Sequence, residues 1–322
     1  MNATRTPAPR GLHHITAIAG DPRENLRFYR DVLGMRLVKK SVNQDDPDTY
    51  HLFYADDVGN PGTDITFFPW PHAKPGRPGV GVVEETLLTV PLGSLDAWQA
   101  RFAEFGVGSN PVTERFGERT LPFSDPHGMR LALVEAEAPF PFTAWDASPV
   151  RSEHQIRALH GARAPVRELA PSREFLEGTL GFRHHGEEAH WHRFVLPGGK
   201  GAGAGHLLDL REDSDGRRGE WGVGSVHHLA WTVDDADHQV GVREAVEAAG
   251  RRPSDVIDRF WFESVYFMEP GGVLFELATA GPGFTVDESH EALGERLILP
   301  PWLEGSRERI ESVLPSLDEA TA

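Results

Sequence analysis

The chain has no cysteine in its 322 residues, which excludes disulfides, thiolate metal sites, iron–sulfur clusters and thiol catalysis. It has no apolar run near the roughly 18 residues that a membrane helix needs. The opening stretch "MNATRTPAPRG" lacks the apolar core of a secretory signal, so a cytoplasmic location is expected. Positive charge is also scarce. Only 32 lysines and arginines face 49 aspartates and glutamates, a formal charge of −17. A phosphate backbone calls for a positive surface, so neither nucleic acid nor a membrane is an expected partner. The remaining composition, 39% hydrophobic and 25% charged, is that of an ordinary soluble globular chain.

What the chain does have is internal repetition. From "HHLAWTV" a strand leads into the helical stretch "ADHQVGVREAVEAAG", then into "FWFESVYFMEP", the turn "PGG" and the strand "VLFELAT". The same order recurs from "LHHITAI", from "VVEETLLTV" and from "ALHGARA", and "SDPHGMRLAL" lies against "MEPGGVLFEL" without a gap. Proline-, glycine- or alanine-rich separators stand at 70–80 and 136–150, and a polar, glycine-containing one at 211–222. The expected architecture is α+β, with four βαβββ modules paired into two curved, barrel-like mixed sheets. The chain divides into residues 11–137 with the first pair of modules, 150–280 with the second pair, and a C-terminal arm and helix over 281–322. The pair "HH" at 184–185 falls in a helix-to-strand connection and has no assigned role.

Superposing the four units places His14, Glu85, Gly161 and His228 at one first-strand position. It places Thr66, Ala132, Asp209 and Glu276 at one closing-strand position, with separations of 52, 47, 48 and 48 residues. Two first-strand histidines and one closing-strand glutamate make a two-imidazole, one-carboxylate set, the arrangement of non-haem Fe(II) oxygenases with open coordination positions. Strand alternation lets only one member of "HH" face a given site, and periodicity does not choose between His13 and His14. The other member of each pair is free to orient a ligand or accept a proton. A pairing of third with fourth units would offer Asp209, His228 and Glu276 instead, and would leave His14 unexplained.

These stretches resemble the vicinal-oxygen-chelate (glyoxalase, bleomycin-resistance and extradiol dioxygenase) superfamily. "LHHIT", "YHLFYADDVGNPGT", "HHLAW", "FESVYF", "PGGVLFE" and "GPGFTVDE" are similar, more narrowly, to the ring-cleaving dioxygenases of hydroquinones. The resemblance implies Fe(II), with Mn(II) equally compatible, held by His14, His228 and Glu276 between the first and fourth units. It implies that His13, His227, Arg259 and Tyr266 lie near the substrate, and that O2 opens a hydroquinone-type or catechol-type ring. Tyr266 and His227 would handle protons or donate hydrogen bonds, and the permanently charged Arg259 suits an anionic oxygen. Without the resemblance, Arg259 would be read as paired with Asp258 or Asp255, and Tyr266 as a strand aromatic. His51 is left structural, and Trp261, Phe262 and Phe267 are pocket or core aromatics. Two rival classes remain, a glyoxalase-like metal-dependent isomerase or lyase and a non-catalytic small-molecule binding protein. Thr66 at the fourth register position is a poor ligand, which favours the three-ligand oxygen chemistry. A homo-oligomer stays open.

Overall fold

The opening strand of every unit is buried along nearly its whole length, because it lies at the centre of a sheet. The structure is a computed structural model that describes residues 8–138, 141–197 and 205–317. Its first module comprises β1 (Leu12–Ala19), α1 (Pro22–Leu26, continued by a π-helical turn over Arg27–Val32), β2 (Arg36–Asn43), β3 (Asp46–Ala55) and β4 (Asp64–Pro69). The second comprises β5 (Glu85–Val90), α2 (Leu95–Phe105), β6 (Thr113–Arg115), β7 (Glu118–Ser124) and β8 (Arg130–Glu135). The third comprises β9 (Ala158–Val166), α3 (Leu169–Gly178), β10 (Arg183–Glu188), β11 (Trp191–Val195) and β12 (Leu207–Glu212). The fourth comprises β13 (Val226–Val233), α4 (Ala236–Ala248), β14 (Ile257–Asp258), β15 (Glu263–Met268) and β16 (Leu274–Thr279). Asp21 starts α1 by accepting from the backbone N–H of Arg23 and Glu24, with Pro22 at the first helical position. Asp235 starts α4 in the same way, through the N–H of His238.

Two eight-stranded mixed sheets result, in the orders β14-β15-β16-β13-β1-β4-β3-β2 and β10-β11-β12-β9-β5-β8-β7-β6. The first sheet joins modules four and one through antiparallel β1 and β13, and the second joins modules three and two through β5 and β9. The chain segments 11–137 and 150–280 therefore do not each form a sheet; each contributes one module to both. The linkers explain this nesting. The chain crosses between sheets over residues 70–80 and returns over 211–222, and the two crossings lie side by side, bridged at Pro75–Val223, Arg77–Glu220 and Val80–Arg218. The second strands of the modules, expected from the βαβββ pattern but not located in the sequence, lie at the sheet edges. They are short or polar, as edge strands tend to be, and one of them, β10, carries His184 and His185.

One apolar core runs through both sheets, joining residues such as Tyr29 and Trp231 to Leu88, Trp98 and Phe194. A smaller cluster, including Val38, Phe53, Trp261 and Phe262, receives Phe284 and Leu293 from the C-terminal arm. The arm is tied down by Lys39, which is fully buried. Its Nζ donates to Phe284 O at 3.1 Å, to Asp287 Oδ1 at 2.7 Å and to the Glu288 carboxylate. Further on, Ile298 N donates to Lys40 O, and Ile310 of α5 (Arg307–Val313) packs with Val42 and Leu299. The arm thus packs on its own chain and covers the β2 edge of the first sheet.

Candidate active site and metal centre

The register read from the sequence holds strand by strand. Thr16 pairs with Thr66, Leu87 with Ala132, Arg163 with Asp209, and Ala230 with Glu276. In every module the closing residue lies opposite the residue two beyond the first-strand position, so both side chains share one face. Antiparallel pairing of Thr16 with His228 and of His14 with Ala230 then brings modules one and four together. His14 and His228, 214 residues apart, present their Nε2 atoms 3.3 Å from each other. Glu276 Oε2 lies 2.9 Å from His228 Nε2 and 3.3 Å from His14 Nε2. His14, His228 and Glu276 form the one cluster of metal-ligating side chains of this kind among the described residues. All three are buried, at 1%, 4% and 0% exposure.

The donors fit a divalent cation. Glu276 Oε2 is buried and makes no hydrogen bond of acceptable geometry, despite those two short approaches. Three electron-rich atoms converge there, which costs free energy unless a cation or a proton lies among them. Burial opposes ionisation of Glu276, but the His14 and His228 rings outweigh it and hold its carboxyl well below the usual range. Burial lowers both ligand histidines as well. At His14 the Glu276 carboxylate wins and the pKa ends raised, whereas at His228 it ends lowered. Ser264 Oγ donates to Glu276 Oε1 at 2.5 Å, which leaves Oε2 to face the centre. Replacing Ser264 with alanine is expected to weaken metal affinity about 10- to 100-fold, the usual cost of losing such a support. Metal titration of the variant checks it.

The doubled histidines have a geometric reason. His13 Nδ1 lies 2.9 Å from His14 Nδ1, and His227 Nδ1 lies 2.8 Å from His228 Nδ1. When Nε2 of a ligand histidine offers its lone pair, its proton sits on Nδ1 and needs an acceptor, which the preceding histidine supplies. That role requires a neutral partner ring. Burial first, then the adjacent ligand ring, holds both His13 and His227 near pKa 3. His13 packs against Phe262, and His227 lies between Phe68 and the half-exposed Trp221. Neither lines the cavity in front of the ligands.

That cavity, about 40 Å³, is lined by His14 and His228, by Tyr266, Arg259 and His51, by Asn43, Gln44 and Asp45, and by the aromatic residues Phe53, Phe68, Trp261 and Phe262. Phe267 belongs to the core instead, beside Phe175 and Phe275. The Tyr266 ring packs edge-on against His228 at 5.5 Å. Burial, reinforced by Glu276, raises its pKa, so the hydroxyl keeps its proton at neutral pH. Arg259 lies beside that ring, 5.7 Å from its centre. Its partner is Asp45 at 2.8 Å, from module one, rather than Asp258 or Asp255. The loop turns at Phe260, whose φ of 74° is rare for a residue with a side chain. His51, left structural by the sequence, faces the cavity, and its Nε2 lies 2.8 Å from Thr66 Oγ1. Thr66 also meets Thr16 Oγ1 at 2.8 Å, so the fourth register position belongs to a hydroxyl chain. Burial holds the His51 pKa well below its ordinary value. Its place in "YHLFYADD" carries no signal, because the strand adjacency that turns it toward the cavity appears only in the fold.

The second sheet repeats the frame without the donors. Glu85 pairs with Arg163, and Leu87 with Gly161. A side chain at Gly161 would meet Leu207 O at 2.7 Å, so no ligand fits at the position of His228. Asp209 is taken by Arg193 through two contacts of 2.9 and 3.1 Å, and Glu85 by Arg115 at 2.5 Å. Guanidinium groups hold the carboxylates there, and Asp209 takes no part in the metal cluster.

The fold and the ligand set define the class. The model of the Glyoxalase/Bleomycin resistance protein/Dioxygenase superfamily matches residues 11–133 and 158–277, and the chain belongs to that superfamily. Within it, the chain is 41% identical over 304 residues to the Bacillus subtilis protein named "Putative ring-cleaving dioxygenase MhqO", covering 94% of this chain and 95% of that one. It is 35% identical over 306 residues to the chlorohydroquinone/hydroquinone 1,2-dioxygenase of Sphingobium indicum, with 93% and 94% covered. A solved Bacillus subtilis structure titled "putative dioxygenase" superposes with a TM-score of 0.88 at 38% identity, over 97% of this chain and 99% of that one. Glyoxalase I from Zea mays, at 15% identity and a TM-score of 0.63 over 84% of this chain and 92% of that one, shares the fold.

Proposed function

We propose that the protein is a ring-cleaving dioxygenase that uses Fe(II) at His14, His228 and Glu276, with O2, to open a hydroquinone-type aromatic ring in an extradiol-type cleavage. The observation that carries this reading is the buried two-histidine, one-carboxylate set opening onto a cavity with aromatic walls. Its relatives' names point the same way. The bound ion would supply Lewis acidity toward a phenolic oxygen and open positions for O2, and Mn(II) suits the same donors.

The chain's own residues would do the rest. Phe53, Phe68, Trp261 and Phe262 hold the ring and exclude water. Tyr266 keeps its phenolic proton and donates it as a hydrogen bond to an oxygen at the centre. Arg259, fixed by Asp45, balances negative charge on the ring oxygen. His51 offers a neutral imidazole on the opposite wall, its Nε2 held at Thr66 and its Nδ1 available for a proton. His13 and His227 accept the Nδ1 protons of the two ligands and act as positioning residues. The isomerase or lyase reading needs a fourth ligand, and Thr66 is already engaged with Thr16 and His51. No helix among the described residues is long and apolar enough to cross a membrane, and a cytoplasmic location goes with the proposal. Oxygen uptake by anaerobically Fe(II)-loaded protein given hydroquinone tests the reading. Uptake of one O2 per ring opened supports it, and a tightly bound metal without uptake for any diol contradicts it.

A further inference from the structure

We infer that Asn43 and Gln44 form a subsite for the second, distal hydroxyl of a para-diol and so select para- over ortho-dihydroxylated rings. The inference rests on the ring-cleavage reading above and names the substrate class within it. The first sheet is an open strip with β14 at one edge and β2 at the other. Its edges meet over the cavity. Arg259, just past β14, gives Nη2 to Asp45 Oδ2 at 2.8 Å and its carbonyl to Gln44 Nε2 at 2.9 Å. The turn between β2 and β3 is therefore drawn across the mouth of the site.

In strand order this turn lies at the far edge of the strip from the ligand-bearing strand β1. From β1, which bears His14, the sheet passes β4 with Thr66, then β3 with His51, then β2 ending at Asn43. Three strand spacings of about 4.8 Å put Asn43 roughly 14 Å from β1 along the curved sheet. The cavity thus has polar groups at the ligand end and at the turn end, with Phe53 and His51 of β3 on the wall between them. That is the polarity of a ring carrying oxygens at opposite positions. A catechol places both oxygens at the metal and presents only ring carbon to the far wall.

The free groups on the two amides match a hydroxyl. Asn43 Oδ1 accepts from Asp45 N at 3.0 Å, so the amide nitrogen is the end left over. Gln44 must turn Nε2 toward the Arg259 carbonyl, which only accepts, so Oε1 is left over. Neither of these two atoms makes a hydrogen bond among the described residues, and both residues line the cavity. One donor and one acceptor complement a hydroxyl, which does both. A site that binds a hydroxyl in this way discriminates strongly against an analogue lacking it, because its polar groups are then left unpaired.

Asn43→Leu and, independently, Gln44→Met test this in the Fe(II)-loaded protein. Hydroquinone turnover is compared with inhibition by phenol, which keeps the metal-bound oxygen and lacks the distal one. We expect kcat/KM for hydroquinone to fall roughly 10- to 100-fold, mainly through KM. The phenol inhibition constant should stay within about twofold. Loss of both in parallel, or of neither, in the folded variants overturns the subsite. If the wild type takes up no O2, the ring-cleavage reading fails separately. Anaerobic calorimetry with the same two compounds then decides the subsite, since tighter wild-type binding of hydroquinone than of phenol, abolished by Gln44→Met, sustains it. Equal binding overturns it.

Discussion

Replacing Glu276 with glutamine is expected to remove the metal and the activity together, while leaving the fold in place. Glutamine has nearly the same shape, so β16 keeps its packing. What it loses is the only negative charge in a set otherwise made of two neutral rings. A divalent ion taken out of water into this buried centre depends on that charge. The position of Ser264 makes the exchange worse. Its hydroxyl is directed at Oε1, so the amide nitrogen is turned toward the centre, where it offers a cation no lone pair. Fe content per chain should drop to background, and oxygen uptake should vanish. Thermal unfolding gives a second readout. A metal present at about 100 times its Kd stabilises a folded protein by roughly 2.7 kcal/mol, so the melting temperature of the native chain should rise with added Fe(II) and that of the variant should not. A variant that retained one tightly held Fe(II) per chain would remove Glu276 from the ligand set.

Replacing Tyr266 with phenylalanine is expected to lower kcat about 10²- to 10⁴-fold, the range for loss of a positioned acid–base group, with Fe content unchanged. The phenol is half-buried, and its desolvation, reinforced by Glu276, raises its pKa. It therefore remains protonated throughout the neutral range and acts as a donor. The sign matters for the pH profile. A raised tyrosine pKa means that no loss of activity from Tyr266 ionisation appears until well above pH 10, so the wild type should show no such alkaline limb at neutral pH. Phenylalanine preserves the edge contact with His228 and the surface under Arg259, which isolates the hydroxyl. Full activity in the variant would assign Tyr266 to packing.

Much of this site is legible in the sequence because it is written in register. His14, His228 and Glu276 occupy equivalent places in repeated units, and the strand pairing keeps those places on one face in every module. The doubled histidines are visible too, although only the Nδ1–Nδ1 distances explain why both members are present. Other features depend on contacts between distant segments, which no local pattern encodes. Asp45 reaches Arg259 only because the sheet curls until its edges meet, and local charge spacing points instead to Asp258 or Asp255. His51 faces the cavity through its place beside Thr66. The division into sheets follows the paired linkers, where the chain crosses and returns, so modules two and three share one sheet and modules one and four the other. Edge strands such as β14, two residues long, carry too little pattern to be recognised alone.

The most direct test is mass spectrometry of the product formed from hydroquinone by the Fe(II)-loaded protein under ¹⁸O2. The account predicts a ring-opened product that carries both labelled oxygens, one in the new carboxylate and one in the aldehyde before its exchange with water. A product without label, or an isomerised compound with its ring intact, would contradict it.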